Sequence, residues 1–393
     1  MRRINSVLIL LILSQMVSSC IKPFEPVIRS KDVQKYVVSG QLTDDGSQQI
    51  IYISMTSPVD SPQFIPVSGC RVIISDDKGN EFPMNETVGG WGHMGGDGSY
   101  RTWINPVFMV PGASFKIDII TPSGENISSD FDQMKECPDV DSVYYEKKDL
   151  IATNTGKTFK GIEFYLDIKG TDEQSRNFRW EVTETWEYHA DYALQWYYDG
   201  TMHHVWPPDY SLQTCWTTAR INTIFTLSTG NLAENKYFRF PLNFVGNEGP
   251  RLINGYSLLV KQYGLSEQAY NYWDQLRMNS TQQGGLYAKQ PLAIRGNLHN
   301  ITNPGVDVLG FFGASSMKTK RVFIQNVPDL PLTYSTTCSW DTLGLDGFNA
   351  YSPSQYPLYL MGTYSGPKRI VLAKECVDCR TRGGINIKPS FWP

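Results

Sequence analysis

YVVSGQLTDDGSQQIIYIS, residues 36–54, decides the fold class. Tyr36-Val37-Val38-Ser39-Gly40 and Ile50-Ile51-Tyr52-Ile53-Ser54 are short β-branched and aromatic runs, and Asp44-Asp45-Gly46 between them is turn chemistry, so the stretch reads as two antiparallel strands. The same grammar repeats downstream. Arg71-Val72-Ile73-Ile74-Ser75 leads into the turn Asp76-Asp77-Lys78-Gly79, and Gly98-Ser99-Tyr100-Arg101-Thr102-Trp103 and Pro111-Gly112-Ala113 follow. Phe115-Lys116-Ile117-Asp118-Ile119 then alternates apolar and polar residues before Ser123-Gly124-Glu125. About seven strands in about 100 residues describe an immunoglobulin-like β-sandwich over residues 35–137.

Past Cys137-Pro138-Asp139 a second β-rich domain is expected, running to residue 393. Ile162 to Ile168 and Phe178-Arg179-Trp180-Glu181-Val182 alternate cleanly, so each should bury one face. Ser257 to Lys261, Val308 to Phe312, Arg321 to Ile324 and Arg369 to Leu372 are further strand candidates. One helix is expected: Ser266 caps it, Leu265 staples onto Tyr270, and Ala269, Trp273 and Leu276 recur at helical spacing before Gly284-Gly285. The fold class is therefore mainly β, a sandwich followed by a larger β-rich domain with one short helix.

The first residues carry a different signal. Arg2 and Arg3 precede an apolar run from Ile4 to Leu13, and Val17-Ser18-Ser19 puts small residues before Cys20, which together read as a signal peptide over 1–19. The run is about half the roughly 20 residues a membrane span needs. Val-Ser-Ser-Cys has the form of a bacterial lipobox, so Cys20 is the expected lipidation site, and acyl chains there would hold the molecule to a membrane at about 0.8 kcal/mol per buried methylene. Residues 20–34, with Pro23 and Pro26, read as a tether.

Composition narrows the classes. Without residues 1–19 the chain has 374 residues and a net formal charge of -6, with both signs scattered, so no nucleic-acid partner is expected. The aromatic share of 13% beside 33 Gly and 23 Pro favours an all-β architecture. Cys70, Cys137, Cys215, Cys338, Cys376 and Cys379 are an even set of disulfide candidates for an oxidising compartment, with 15 pairings open. Cys376-Val377-Asp378-Cys379 has half the spacing of a zinc site, yet nothing completes four ligands, and no metal or other cofactor is expected.

Motifs of catalysis are sparse. None of His93, His189, His203, His204 and His299 belongs to an H-E-x-x-H pair, there is no G-x-S-x-G elbow, and Gly89-Gly90-Trp91-Gly92 and Gly95-Gly96-Asp97-Gly98 lack the Lys-Ser/Thr of a phosphate loop. A glycosidase pair needs no motif, because its two carboxylates can be distant in the chain. One segment differs from the rest. From Trp186 to Trp216 the alternation breaks and nine aromatics gather, among them Trp186, Trp196, Tyr197, Tyr198 and Trp206. Rigid amphipathic rings of this kind either fill a core or hold a sugar, a peptide or a partner protein.

Several short stretches are familiar in this order: Cys20-Ile21-Lys22-Pro23-Phe24-Glu25-Pro26, Val38-Ser39-Gly40, Pro138-Asp139-Val140-Asp141-Ser142-Val143, Gln290-Pro291 with Gly296-Asn297, Leu309-Gly310-Phe311-Phe312, Cys376-Val377-Asp378-Cys379-Arg380 and Lys388-Pro389-Ser390-Phe391-Trp392. As a set they resemble a domain-of-unknown-function family of Bacteroidota surface lipoproteins encoded beside SusC-like TonB-dependent transporters. The resemblance implies a non-enzymatic accessory or cargo-binding partner of such a transporter, lipid-anchored in the outer membrane and exposed at the cell surface; a glycan or peptide cargo is suggested by the aromatic segment alone. It supplies no catalytic residues. A glycan-binding adhesin or a surface hydrolase is the alternative. Ser142 and Thr342 sit in Asp-Ser/Thr-aliphatic triplets that resemble the O-glycosylation acceptor of exported Bacteroidota proteins.

Overall fold

A computed structural model describes residues 34–58, 61–88, 96–151, 156–281, 294–334, 338–343, 345–362 and 369–393. The expected signal peptide, Cys20, the glycine-rich stretch 89–95, Gly284-Gly285 and Gln290-Pro291 lie outside these residues. In chain order the strands are β1 (Tyr36–Thr43), β2 (Gln49–Met55), β3 (Ile65–Pro66), β4 (Arg71–Asp76), β5 (Glu81–Val88), β6 (Gly96–Thr102), β7 (Ser114–Ile120), β8 (Asn126–Ser129) and β9 (Asp132–Gln133). Then come β10 (Val140–Ile151), β11 (Thr158–Lys169), β12 (Asn177–His189), β13 (Leu194–Tyr198), β14 (Met202–Asp209), β15 (Thr214–Ser228), β16 (Lys236–Gly246) and β17 (Tyr256–Gly264). The helix α1 (Glu267–Thr281) precedes β18 (Leu298–Asn300), β19 (Leu309–Ile324), β20 (Trp340–Leu343), β21 (Leu358–Gly362) and β22 (Arg369–Leu372). The protein is mainly β, with one α-helix among the described residues.

Alternation explains the first core. Phe115, Ile117 and Ile119 of β7 point inward with no exposed surface, as do Val38 and Leu42 of β1 and Ile51 and Ile53 of β2. Each such side chain contributes about 1.5–3 kcal/mol relative to exposure. The core is not closed by residues 35–137 alone. Leu298, Val308, Phe312 and Ala314 join it from far along the chain. They arrive because β19 lies parallel to β1, from Val37 opposite Leu309 to Thr43 opposite Ser315.

Two close backbone approaches fix that arrangement. A Cβ on Gly310 would sit 1.8 Å from the Val38 carbonyl oxygen, and one on Gly296 would sit 1.5 Å from the Gly310 carbonyl oxygen, so neither position tolerates a side chain. Next to them the Asn297 side chain behaves like a short strand: its Nδ2 donates to the Phe312 carbonyl at 2.8 Å and its Oδ1 accepts from the Phe312 amide at 3.0 Å.

The second half of β19 pairs antiparallel with β17, from Ser316 opposite Gly264 to Ile324 opposite Tyr256. Val308 to Phe312 and Arg321 to Ile324, two candidates in the sequence, thus belong to one 16-residue strand and its approach. A sheet of order β15-β12-β17-β19-β1-β2-β6-β5-β4-β7-β8-β18 therefore runs unbroken from one core to the other. The small sheet β10-β11-β16 supplies the opposite wall of the second core. There Phe178, Trp180 and Val182 of β12 pack with Ile162, Phe164 and Leu166 of β11. Trp180 is buried with its Nε1 donating to the Gln262 side chain at 2.9 Å, so its one polar atom is satisfied.

The opposite face of β12 is covered as well, by α1. Ser266 caps that helix as its sequence indicates, its Oγ accepting from the Ala269 amide at 3.1 Å. Leu265, Ala269 and Trp273 pack with Tyr263 and Phe311 on the sheet.

Candidate functional site

Five strands of order β14-β13-β21-β22-β20 form a third, smaller sheet that gathers the aromatic segment. The hairpin β13-β14 turns at Asp199-Gly200-Thr201, with Gly200 at φ 116°. Asp199 accepts from Thr201 and pairs with His203 at 2.9 Å, and this contact with His203 holds its carboxyl below the usual aspartate range. The rings on the two strands then stack across the hairpin: Trp196 on His204 at 4.0 Å, Tyr197 on His203 at 4.4 Å.

Most of the aromatic residues singled out in the sequence are committed to packing. Trp196 and Tyr198 lie against Phe348, Leu358 and Leu360, and Tyr197 lies on the other face against Tyr359 and Leu372. Trp186 is half-buried on β12 with the Arg251 guanidinium 4.9 Å above its ring. The exposed rings are Trp206 at 79% and Tyr210 at 64%, on and just after the outermost strand β14, and Trp340 at 63% on the opposite edge strand β20. Trp206 extends the stacked row, 6.4 Å from His204.

One disulfide binds the C-terminal segment of this sheet to the second core, and the other closes within the sheet itself. Cys215 of β15 joins Cys379, and Cys338 joins Cys376, so the two cysteines of the C-x-x-C pair reach separate partners. Between them Asp378 accepts from the backbone and side chain of Arg380 and from the Tyr359 hydroxyl. The Arg380 guanidinium holds the Asp378 carboxyl below its usual range. Ligand atoms of Asp191, Cys338 and Cys376 lie within 4.8 Å of one another, but the two sulfurs are bonded to each other and offer no thiolate to a metal.

Cys70 and Cys137, candidates with the other four, are free thiols. They serve different cores: Cys70 packs beside the first, its amide donating to the Tyr100 hydroxyl, whereas Cys137 is buried against Gln262 beneath β17, where burial pushes its thiol up to about 12. Ser142 is half-buried and donates to Asp167 at 2.9 Å, while Thr342 is exposed on the edge strand β20.

A further cleft, which the strand pattern by itself does not reveal, lies apart from these residues. It lies on the large sheet beneath α1, lined by β12 and β15 of the second core and by β19, β1 and β2, and has a volume of about 380 Å³. That is within the usual size of small-molecule sites, about 300–1,000 Å³. At its base Arg179 is only 6% exposed. Its guanidinium is held between the Tyr263 ring at 4.5 Å and the Trp273 ring at 4.2 Å. One terminal nitrogen donates to Glu181 Oε1 at 2.9 Å and the other to Gln41 Oε1 at 2.6 Å, while Nε is buried with no acceptor.

Glu181 also takes Arg220 at 2.6 Å and the Tyr263 hydroxyl at 3.2 Å. Burial alone would raise its pKa, but Arg179 and Arg220 together hold the carboxyl below the ordinary range, so it is ionised at neutral pH. Opposite Glu181 the pairing of β12 with β15 slips, so that Asn222, Thr223 and Ile224 bulge into the wall of the cleft. Bulges of this kind commonly re-aim side chains at binding sites. In the sequence Arg179 and Glu181 read as the solvent face of an alternating strand; the cue was two opposite charges at i and i+2, which share one face.

Residues 21–321 match the family model described as "Domain of unknown function (DUF4249)". The chain belongs to this DUF4249 family. No curated protein matches it. Among solved structures, a DUF4785 family protein from Legionella pneumophila is 12% identical over 58% of this chain and 53% of its own, with a TM-score of 0.15. The match thus spans about half of that protein. The DUF4249 match takes in β1 to most of β19, hence the cleft, and stops before β20, so three strands of the aromatic sheet lie outside it.

Proposed function

We propose that this DUF4249 protein is a lipid-anchored protein of the outer membrane, exposed at the cell surface, that serves a SusC-like TonB-dependent transporter as a non-enzymatic accessory. The observation that carries the reading is the exposed aromatic margin of the third sheet, Trp206 beside the stacked His204-Trp196 pair and Tyr210 just after the same strand. Trp and Tyr dominate contact energies where they are solvent-facing in the free protein, and here the row beneath Trp206 is already held rigid by stacking. The lipobox at Cys20 supports the membrane part. Confinement to a plane raises the effective concentration of a partner in that plane, so a modest contact suffices for a stable pair.

Two measurements test this. Metabolic labelling with an alkyne fatty acid should mark the wild type and miss Cys20→Ala. Trp206→Ala with Tyr210→Ala should reduce co-purification of a transporter from detergent-solubilised membranes while leaving the melting midpoint unchanged. Co-purification that survives both substitutions removes the aromatic margin from the contact, and absence of any transporter from wild-type preparations removes the accessory role. The same exposed ring also suits a glycan, and the adhesin alternative is favoured if soluble glycans, and no protein, are retained through Trp206.

A further inference from the structure

We infer that the cleft beneath α1 is a binding site for a small organic monoanion, a carboxylate carried on a flat apolar body. The inference stands apart from the transporter reading, since it concerns a different surface and needs no partner protein.

Charge sets the first requirement. Two guanidiniums, Arg179 and Arg220, face one carboxylate, Glu181, which leaves one positive charge at the mouth of a partly enclosed cavity. A single negative charge on the occupant balances it. Donor geometry sets the second. Arg179 carries five N–H groups, of which Glu181 and Gln41 each take one, and the buried Nε–H has no acceptor. A buried donor left unpaired is costly, and a guanidinium with N–H groups still unused suits the oxygens of a carboxylate. Arg220 is 60% exposed, so it can turn toward an arriving anion, and Asn222 and Thr223 beside it on the bulge add polar groups.

The remaining wall sets the third requirement. Tyr272, Trp273 and Phe311 line the cavity on the helix side and Ile50 and Tyr52 on the side of the first core. Tyr272 stacks on Phe311 at 5.1 Å, so these rings are fixed before anything binds. A bare inorganic ion would leave that apolar wall wet, whereas a flat organic body covers it and excludes water from the ion pair. Because Gln41 comes from β1 and Arg179 from β12, the occupant would bridge both cores.

The test is calorimetric titration of the full lipoprotein in detergent with naphthoate, with naphthamide, its uncharged amide, and with inorganic phosphate. Naphthoate should bind once per chain, and naphthamide and phosphate should each bind at least about tenfold more weakly. Arg179→Ala is a poor probe, because its guanidinium fills the space between two rings and its loss can unfold the site. Arg220→Gln avoids this and should weaken naphthoate roughly ten- to a hundredfold, the worth of one charge-assisted contact, with the melting midpoint unchanged. Arg220→Lys, which keeps the charge, should recover part of that loss. The inference is overturned if naphthoate fails to bind, if naphthamide or phosphate binds as tightly, or if Arg220→Gln binds naphthoate like the wild type.

Discussion

Raising the pH from about 4 to about 7 should destabilise the junction of the two cores, and Asp132 is the reason. This residue of β9 is 2% exposed and ties its strand to two other elements: its Oδ1 accepts from the Ser266 hydroxyl at the cap of α1 and its Oδ2 from the Ala314 amide of β19 at 2.9 Å. Burial raises its pKa from 3.8 to about 6, against the two hydrogen bonds and Lys135, which pull it down. Below about pH 3.8 folded and unfolded chains both hold the proton, so the carboxyl carries no penalty. Between about 3.8 and about 6 the unfolded chain releases its proton and the folded chain keeps it, so stability falls as pH rises. Above about 6 the whole penalty is present, and a displacement of that size corresponds to about 3 kcal/mol.

Urea midpoints measured across this range for wild type and Asp132→Asn give the test by difference. Subtraction removes the contribution of Asp45, Asp76 and Glu125, whose carboxyls are held low by hydrogen bonds and which lose stability only as the pH falls further. The wild type should lose about 3 kcal/mol relative to the variant between about pH 4 and 7. Ser266→Ala should move the midpoint of that loss upward, because it removes a hydrogen bond that favours the ionised form. A difference that does not change with pH would mean that Asp132 titrates as it does in water and is not buried between the cores.

Opening Cys215–Cys379, which closes a loop of 164 residues in sequence separation, should lower stability by up to about 5 kcal/mol, and opening Cys338–Cys376, with a separation of 38, by up to about 4; guanidinium midpoints under non-reducing conditions that match the wild type would contradict both. Replacing Trp196, Tyr197 and Tyr198 together by Ala should cost at least about 3 kcal/mol, because their rings pack on both faces of the third sheet, whereas Trp206→Ala alone should stay within about 0.5 kcal/mol. Thermal unfolding separates the two outcomes. Of the two triplets that resemble a sugar acceptor, Thr342 should be modified in preference to Ser142, since its side chain is exposed while Ser142 donates to Asp167; intact-protein masses of wild type and single Ala variants check this, and masses matching the unmodified chain count against both.

Local pattern carried the strands and the helix. Phe115, Ile117 and Ile119 alternate in the sequence and point into the core, and Ser266 marks the start of α1 as its position implies. What one window cannot show is which distant strand completes a core. Leu298 to Ala314 close the first core from some 160 residues beyond its last strand, and only tertiary pairing reveals it. The cleft was hidden for a related reason: Arg179 and Glu181 obey the alternation of β12, and alternation says which residues share a face, not whether a helix covers that face. In the aromatic segment stacking across a hairpin replaced the usual period, so the rings were visible as a group while their division into packed and exposed members was not.

The entry of the chain at β1 has a mechanical consequence. A pull from residues before Lys35 runs lengthwise through a strand flanked by β19 on one side and β2 on the other. The ladder bonds on both sides are then strained side by side and must yield together, whereas a pull across the sheet would unzip them one at a time. Since β19 continues into the second core beside β17, the strain is handed on to both halves of the molecule instead of peeling away the first.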